Sequence, residues 1–593
     1  MLRPLRTGAM AIGWRSLLML LCLATCSSGQ RATDFYTTVT TLSDLIDMEK
    51  HVKADLVRYV ERLKIVQDSI LNFVQNRQPY DDLTSPSAVS EYLKHPVHAF
   101  HLIKRMTAGL GAIEAQINKT QKFDPLMNIR EMRKQQLLPR NEDFKGLAAS
   151  LVRLQDTYSL DLHELTKGNL HTEIPRNRTI PGRLPLSALD CLNISRVALN
   201  ESFYDRAVEW AEQAIAKAAD EEPPTVPKEE LNAHHEAAVK QHDEVLITKG
   251  ATGYLWQTYG VSVENRTHRS TEFKTELFQE QLPHDQEMQN YKRLCRGELL
   301  RTPKMDSKLR CRYYKGHGGS FTLHPIKLEE VNLKPYIVVM HDVVQDGDIE
   351  DLRAFAEPRL QTSLTYDVPG VESPAVRTSS NAWMDETNAP VARKLNKFLR
   401  SLLGLGTSYS DGEAEKYQLA NYGTGGHFLT HPDYLGDLFD NATDPSEFEF
   451  HKKVGDRVAT LMIYMSDVEE GGATVFPYLG VRLTPQKGDA AFWWNLKANG
   501  EGEVLTTHAG CPVLYGSKWI AKQVVPVQLQ HVPAAVLQRP KCFLGIFPLT
   551  YLPMPYTHLY NASLFTFGNL KCLLSRKALA RDNRCNLRRL LVL

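Results

Sequence analysis

Two residues separated by a proline, His431-Pro432-Asp433, followed much later by His508 and, ten residues on, Lys518, limit this chain more than any other feature. In a β-strand alternate side chains share a face, so His431 and Asp433 can reach one metal ion together. His508, arriving from a distant strand, completes a set of two histidines and one carboxylate. Such a set leaves coordination positions open and suits non-heme Fe(II) used for oxygen chemistry. Each signal is weak alone: His-x-Asp recurs by chance, His508 also reads as a satisfied strand histidine, and His427 is a competing ligand or a pocket wall.

The intervening text reads as strands. Arg457 to Met465 is apolar and β-branched, Gly471-Gly472 marks a turn, and residues 474–476, 490–494 and 513–515 add short apolar runs. An earlier run, Val338 to Val343, has the same character. Many short strands bounded by Gly and Pro suggest a sandwich or jelly-roll barrel, whose mouth suits a small site.

Four segments, Gln418–Gly423, Tyr464–Val468, Gly471–Pro477 and His508–Val513, resemble the catalytic domain of collagen prolyl 4-hydroxylase alpha subunits. The resemblance implies a double-stranded β-helix using Fe(II), 2-oxoglutarate and molecular oxygen, with ascorbate rescuing oxidised iron. It gives His431, Asp433 and His508 to iron and Lys518 to the distal carboxylate of 2-oxoglutarate, with Tyr422 lining the same pocket. A lysine fits that role as a point charge facing a carboxylate. Zinc accepts the same ligand types, but Lys518 and the four segments argue against a hydrolase. The implied reaction is 4-hydroxylation of peptidyl proline in X-Pro-Gly sequences, giving succinate and CO2. The implied partners are a proline-rich collagen-like peptide and protein disulfide isomerase as beta subunit of an α2β2 heterotetramer in the endoplasmic reticulum lumen. One alternative is a catalytically impaired paralogue or isoform acting as a peptide-binding or assembly subunit; another is a hydroxylase acting on lysine or noncollagenous proline.

At 593 residues the chain holds several domains, and a net charge of +1 with 23% charged residues excludes an electrostatic nucleic-acid binder. Residues 1–29 read as a signal peptide: Arg3, Arg6 and Arg15 precede the apolar run from Leu17 to Ala24, which is too short to span a bilayer. Seven Asn-x-Ser/Thr sites, at Asn118, Asn177, Asn193, Asn200, Asn265, Asn441 and Asn561, fit a glycoprotein of the secretory route.

Residues 30–160 read as an all-α N-terminal domain. Val52, Leu56, Tyr59, Leu63, Val66, Ile70 and Phe73 step by four and three, either as a coiled-coil dimerisation seam or as one helix packing on its own domain. The resemblance favours the dimerisation element. Residues 161–262 read as a tetratricopeptide-like helical domain, with Ala198, Tyr204, Ala207, Trp210 and Ala214 in small-and-aromatic order. Ala207, Trp210 and Ala214 read as core. In the family this unit binds polyproline II strands in an aromatic groove, and Tyr204 is the candidate groove residue.

Polar residues 263–292 read as a linker and 293–521 as the dioxygenase domain. Cys295 and Cys311 flank a compact basic segment at its entry, and the reading pairs them as a disulfide. Leu435 to Lys453 reads as a loop near the site. Pro432 stands where the family often has an aromatic residue. Residues 522–593 read as a tail unlike the family, and prolines 548, 553 and 555 argue against a spanning helix in their uncharged stretch. The reading is a tail from altered splicing or a frame change, with the final barrel strand missing and Cys511 lacking its usual partner unless Cys542 replaces it.

Overall fold

A computed structural model of the chain describes residues 39–60, 67–120, 127–135, 138–172, 178–249, 275–363, 377–436 and 454–526. The segment expected to be a signal peptide, residues 437–453 of the expected loop, and the stretch beyond residue 526, Cys542 included, lie outside the described residues.

The helical half opens with α1 (Val39–Val60), α2 (Gln67–Gln75), α3 (Pro86–Leu93), α4 (Pro96–Lys104), α5 (Leu110–Thr120) and α6 (Met127–Lys134). Ser85 caps α3 through the Ala88 amide, and prolines at the first turns of α3 and α4 cost no hydrogen bond there. Val52 and Leu56 of α1 and Ile70 and Phe73 of α2 are buried in one core with Leu102, Ile103 and Met106. These four seam residues pack inside their own domain, as the second of the two sequence readings has it, while Leu63 and Val66 of the seam lie outside the described residues. The same spacing that suits a seam also suits this internal core.

Helix α7 (Asn141–Tyr158) follows and is buried on nearly every face from Leu147 onward. A short α8 (Leu162–Thr166) and the hairpin β1 (Leu170–Thr172) with β2 (Arg178–Ile180) lead into α9 (Ala188–Asn200), α10 (Tyr204–Asp220) and α11 (Lys228–Lys249). Ser187 and Asp190 form a capping box on α9. Ala198, Ala207, Trp210 and Ala214 are core, as their spacing indicates, and the Trp210 indole donates 2.8 Å to Gln155 of α7.

Helix α12 (His284–Arg296) overturns the linker reading from residue 284 onward. Its polar sequence is buried by pairing: Lys292 meets Asp156 of α7 at 2.7 Å, and Asn290 donates to the carbonyls of Glu276 and Pro477, each at 3.1 Å. A buried ammonium is tolerated only when paired in this way. A short α13 (Pro303–Asp306) precedes the sheets.

A nine-stranded sheet forms the body of the second half. Its order is β3 (Cys311–Tyr314), β4 (Ile326–Leu333), β5 (Tyr336–His341), β14 (Ala490–Trp494), β10 (Arg457–Tyr464), β17 (Lys518–Pro526), β8 (Tyr417–Tyr422), β7 (Ser380–Met384) and β6 (Gln361–Thr362). Opposite it lies a four-stranded sheet in the order β13 (Val481–Leu483), β12 (Thr474–Phe476), β15 (His508–Gly510) and β9 (Phe428–His431). A two-stranded pair, β11 (Glu470–Gly471) with β16 (Val513–Tyr515), completes the strands. The two facing sheets bear out a sheet-rich catalytic half behind a helical one.

Period-two alternation decides what enters the space between the sheets. Leu461, Ile463, Phe492, Trp494, Trp519 and Ala521 face outward beneath α14 (Asp346–Ala356) and α15 (Pro390–Leu403). Met462, Tyr464, Trp493, Tyr422 and Ile520 face inward against Phe476, Val481 and Leu483. On β17 the inward row is therefore Lys518, Ile520 and Lys522.

That strand corrects the missing-strand expectation. β17 is nine residues long and pairs antiparallel with β10 on one side and β8 on the other. The residues from Lys522 to Pro526 keep the alternation a central strand needs.

The expected Cys295–Cys311 pairing is also wrong. Cys295 on α12 is bonded to Cys511, with Cα atoms 5.5 Å apart, while Cys311 begins β3 on the exposed sheet edge opposite Glu329. The bond joins the helical half to the turn after His508, where Ala473, Val475, Ala509 and Leu514 already share a core with α7, α9, α10 and α12. Tyr158 of α7 donates to the Pro512 carbonyl at 2.5 Å beside it. The crosslink closes a separation of 216 residues, so loop-closure entropy gives it up to about 5 kcal/mol. Cys511→Ser is expected to lower the guanidinium unfolding midpoint under non-reducing conditions. Midpoints equal to wild type, both before and after reduction, would remove the crosslink from the account.

Candidate active site

His431 ends β9 and His508 begins β15, and the two are register partners in adjacent strands. Asp433 lies two residues past His431, buried between the sheets. The sequence prediction that these three meet is fulfilled in space: one ligand atom from each lies within 4.8 Å of the others. His431 Nε2 is 3.8 Å from Asp433 Oδ1, and His508 Nε2 is 3.6 Å from Oδ2. Pro432 falls after the last residue of β9 and is exposed, so it takes no hydrogen bond from the ladder.

Local hydrogen bonds fix both imidazoles. His431 Nδ1 donates to the Leu429 carbonyl at 2.7 Å, and His508 Nδ1 donates to the Thr506 carbonyl at 3.1 Å. A carbonyl can only accept, so Nδ1 carries the proton in each ring and Nε2 keeps its lone pair for the site. His431 Nε2 is buried without a hydrogen-bond partner. Phe428 stacks on His431 at 3.6 Å between centroids, and Trp493 packs edge-on against His508 at 4.8 Å.

Electrostatics keep the ligands in metal-binding form. Burial, with His508 nearby, holds His431 well below the usual histidine pKa, and burial pulls His508 down to about 4. Burial would raise the Asp433 pKa, but the Lys522 ammonium and its hydrogen bond overcome it and keep the carboxylate ionised. Two neutral imidazoles and one carboxylate suit a divalent ion. The orphaned Nε2 is the observation that fits the metal.

Sequence reasoning missed the groups that hold Asp433. Thr460 Oγ1 donates to Oδ2 at 2.7 Å and itself accepts from Asn495 Nδ2 at 2.9 Å. Lys522 Nζ donates to Oδ1. Thr460 could have been inferred from the inward alternation of β10; Lys522 was read as the start of a foreign tail.

Lys518 lies opposite the ligands, on β17, as the register partner of Tyr422. The residue is 3% exposed, and its ammonium sits 5.6 Å from the Tyr422 ring and 5.9 Å from the Tyr464 ring. Its hydrogen bond goes to Thr474 Oγ1 at 3.3 Å, and no carboxylate among the described residues pairs with it. Burial lowers its pKa to about 7. A buried lysine facing aromatic rings and a hydroxyl is arranged for an anion that comes from outside.

The predicted residues do not all converge. His427 is buried but lies outside the three-residue ligand group. Tyr204 begins α10, half-buried, with its hydroxyl donating to Ser202 at 3.2 Å. The glycine run before β9 packs on the helical half: Gly425 has φ +66°, and a Cβ there would come within 2.6 Å of Ser150 on α7.

A family model for the N-terminal region of prolyl 4-hydroxylase alpha subunits matches residues 38–172, and that of the 2OG-Fe(II) oxygenase superfamily matches residues 417–524. The chain is 34% identical over 544 residues to prolyl 4-hydroxylase subunit alpha-1 of Rattus norvegicus, covering 86% of this chain and 96% of that one. It is 30% identical over 526 residues to prolyl 4-hydroxylase subunit alpha-2 of Caenorhabditis elegans, covering 85% and 93%. A solved structure of a viral collagen prolyl hydroxylase from Paramecium Bursaria Chlorella virus-1, with 2OG, is 25% identical over 32% of this chain and 94% of its own, with a TM-score of 0.24.

Proposed function

The chain belongs to the prolyl 4-hydroxylase alpha-subunit family and is a 2-oxoglutarate-dependent proline hydroxylase, and on that basis we propose the role of each site residue. His431, Asp433 and His508 hold Fe(II), and Lys518, flanked by Tyr422, holds the distal carboxylate of 2-oxoglutarate. The observation that carries this reading is a ligand set with an unpartnered Nε2 facing a buried lysine that has no carboxylate of its own among the described residues.

Bound iron supplies oxygen activation: O2 and 2-oxoglutarate become CO2 and succinate while one oxygen atom is inserted at proline C4. The chain's own residues supply orientation and dryness. The carbonyls of Leu429 and Thr506 fix the imidazoles, Thr460 and Asn495 fix the carboxylate, and Phe428, Phe476 and Trp493 wall the site with rings. Lys518 gives the co-substrate a fixed end against which its other end is aimed.

The finer readings belong to the same proposal. The facing sheets form a double-stranded β-helix, and α9 and α10 form a tetratricopeptide-like pair with Tyr204 at a groove for proline-rich strands. Collagen-like X-Pro-Gly peptides are the substrate, ascorbate restores iron, and protein disulfide isomerase is the beta subunit of an α2β2 assembly in the endoplasmic reticulum lumen. The Cys295–Cys511 disulfide supports an oxidising compartment. An impaired assembly subunit is not favoured, because the relatives are prolyl 4-hydroxylase alpha subunits and β17 is paired on both sides and carries Lys518.

The test is succinate release coupled to hydroxyproline formation, using the full chain co-expressed with protein disulfide isomerase. Pro-Pro-Gly repeats are expected to turn over and lysine-containing peptides to remain unmodified. Modification of lysine peptides alone would reassign the substrate.

A further inference from the structure

Lys522 stands inside the candidate metal site on the oxygen a metal would need. Its Nζ donates to Asp433 Oδ1, the oxygen nearer His431, while Thr460 holds Oδ2. Asp433 is the one carboxylate paired with Lys522 among the described residues. The contact follows from the fold. Lys522 is the third inward residue of β17 after Lys518 and Ile520, and it is the register partner of inward-facing Met462. A carboxylate has four lone-pair positions, so an ammonium on Oδ1 leaves room for a metal but sets a positive charge beside it. In a site this dry, like charges a few ångströms apart interact strongly.

We propose that Lys522 is a positioning residue that sets how firmly the site holds its metal. It neutralises Asp433 when no ion is bound, opposes a divalent ion brought to the same carboxylate, and makes tight metal binding conditional on a dianionic 2-oxo acid. The inference rests on the iron and 2-oxoglutarate reading above. With both Lys518 and Lys522 inward, the metal-loaded pocket is strongly positive until the dianion enters. By linkage, each ligand then strengthens the other by the same factor.

Calorimetric titration of the full chain with Co(II), repeated anaerobically with Fe(II), tests this in wild type, K522M, K522Q and K522R, with and without 2-oxoglutarate. K522M and K522Q are expected to bind Co(II) alone about tenfold more tightly than wild type, because a like charge has gone. K522R keeps the charge and is expected to stay near wild type. The tightening of metal binding by 2-oxoglutarate should be larger in wild type and K522R than in the two neutral variants. K522Q, with a polar head, serves if K522M does not fold. Neutral variants binding Co(II) no more tightly than wild type would overturn the inference while leaving the metal site standing. Absence of Co(II) binding in every form, unchanged by H508A, would overturn the metal reading and this inference with it.

Discussion

His508→Ala is expected to weaken Fe(II) binding by more than about 100-fold, since altering a group that merely supports a ligand already costs about 10–100-fold. Succinate release should fall below detection with it. His508 is buried, its Nδ1 is committed to Thr506, and its Nε2 is directed at Asp433, so no neighbouring group can take its place. His427 is the nearest alternative in sequence, but it lies outside the ligand group. The variant should fold, because its strand β15 is held by backbone pairing to β9 and β12. Metal affinity and thermal unfolding measured together separate the two effects. Lost affinity with an unchanged midpoint is the expected pair, and full turnover by the variant would remove His508 from the site.

Lys518→Ala is the second large effect. A charge-assisted hydrogen bond contributes about 1.5–3 kcal/mol, and leaving a carboxylate unpaired in a dry pocket adds to the loss. The KM for 2-oxoglutarate is expected to rise by about 100-fold or more, with metal affinity in the absence of 2-oxoglutarate not reduced. The wild-type pH dependence has a definite sign. Burial lowers the Lys518 pKa to about 7 in the free protein, and only the protonated amine attracts a carboxylate. Affinity for 2-oxoglutarate should therefore be full below pH 7 and fall by about tenfold per unit above it, until the pKa of the bound state is reached. A KM that is flat from pH 6 to 9 would show that Lys518 does not bear the carboxylate.

The ligand set was legible because its chemistry restricts residue type. Two histidines and an aspartate in strand text, with a lysine following, have few other uses, and the strand period predicts that His431 and Asp433 approach one ion. Packing partners were less legible. Val52, Leu56, Ile70 and Phe73 carry a periodicity that serves a coiled coil and an internal core alike, and only the fold shows that these four pack in a core of their own domain. Helix α12 was hidden by its polarity, because Asn290 and Lys292 are buried by hydrogen bonds and an ion pair that no hydropathy pattern records. The disulfide was hidden by distance: spacing points Cys295 to its near neighbour, whereas the fold brings up Cys511 from 216 residues away. Lys522 was misread for a related reason. A charged residue in an unfamiliar segment looks like surface, and only the alternation of β17 turns it toward Asp433.

The central claim is that one pocket binds Fe(II) and 2-oxoglutarate together through His431, Asp433, His508 and Lys518. Anaerobic titration of the full chain with Fe(II) in the presence of 2-oxoglutarate, followed by visible charge-transfer absorption, tests it most directly. The account predicts a band that saturates at one iron per chain, requires 2-oxoglutarate, and is absent in H508A. A band of equal strength in H508A, or saturation of wild type with iron and 2-oxoglutarate without any band, would contradict it.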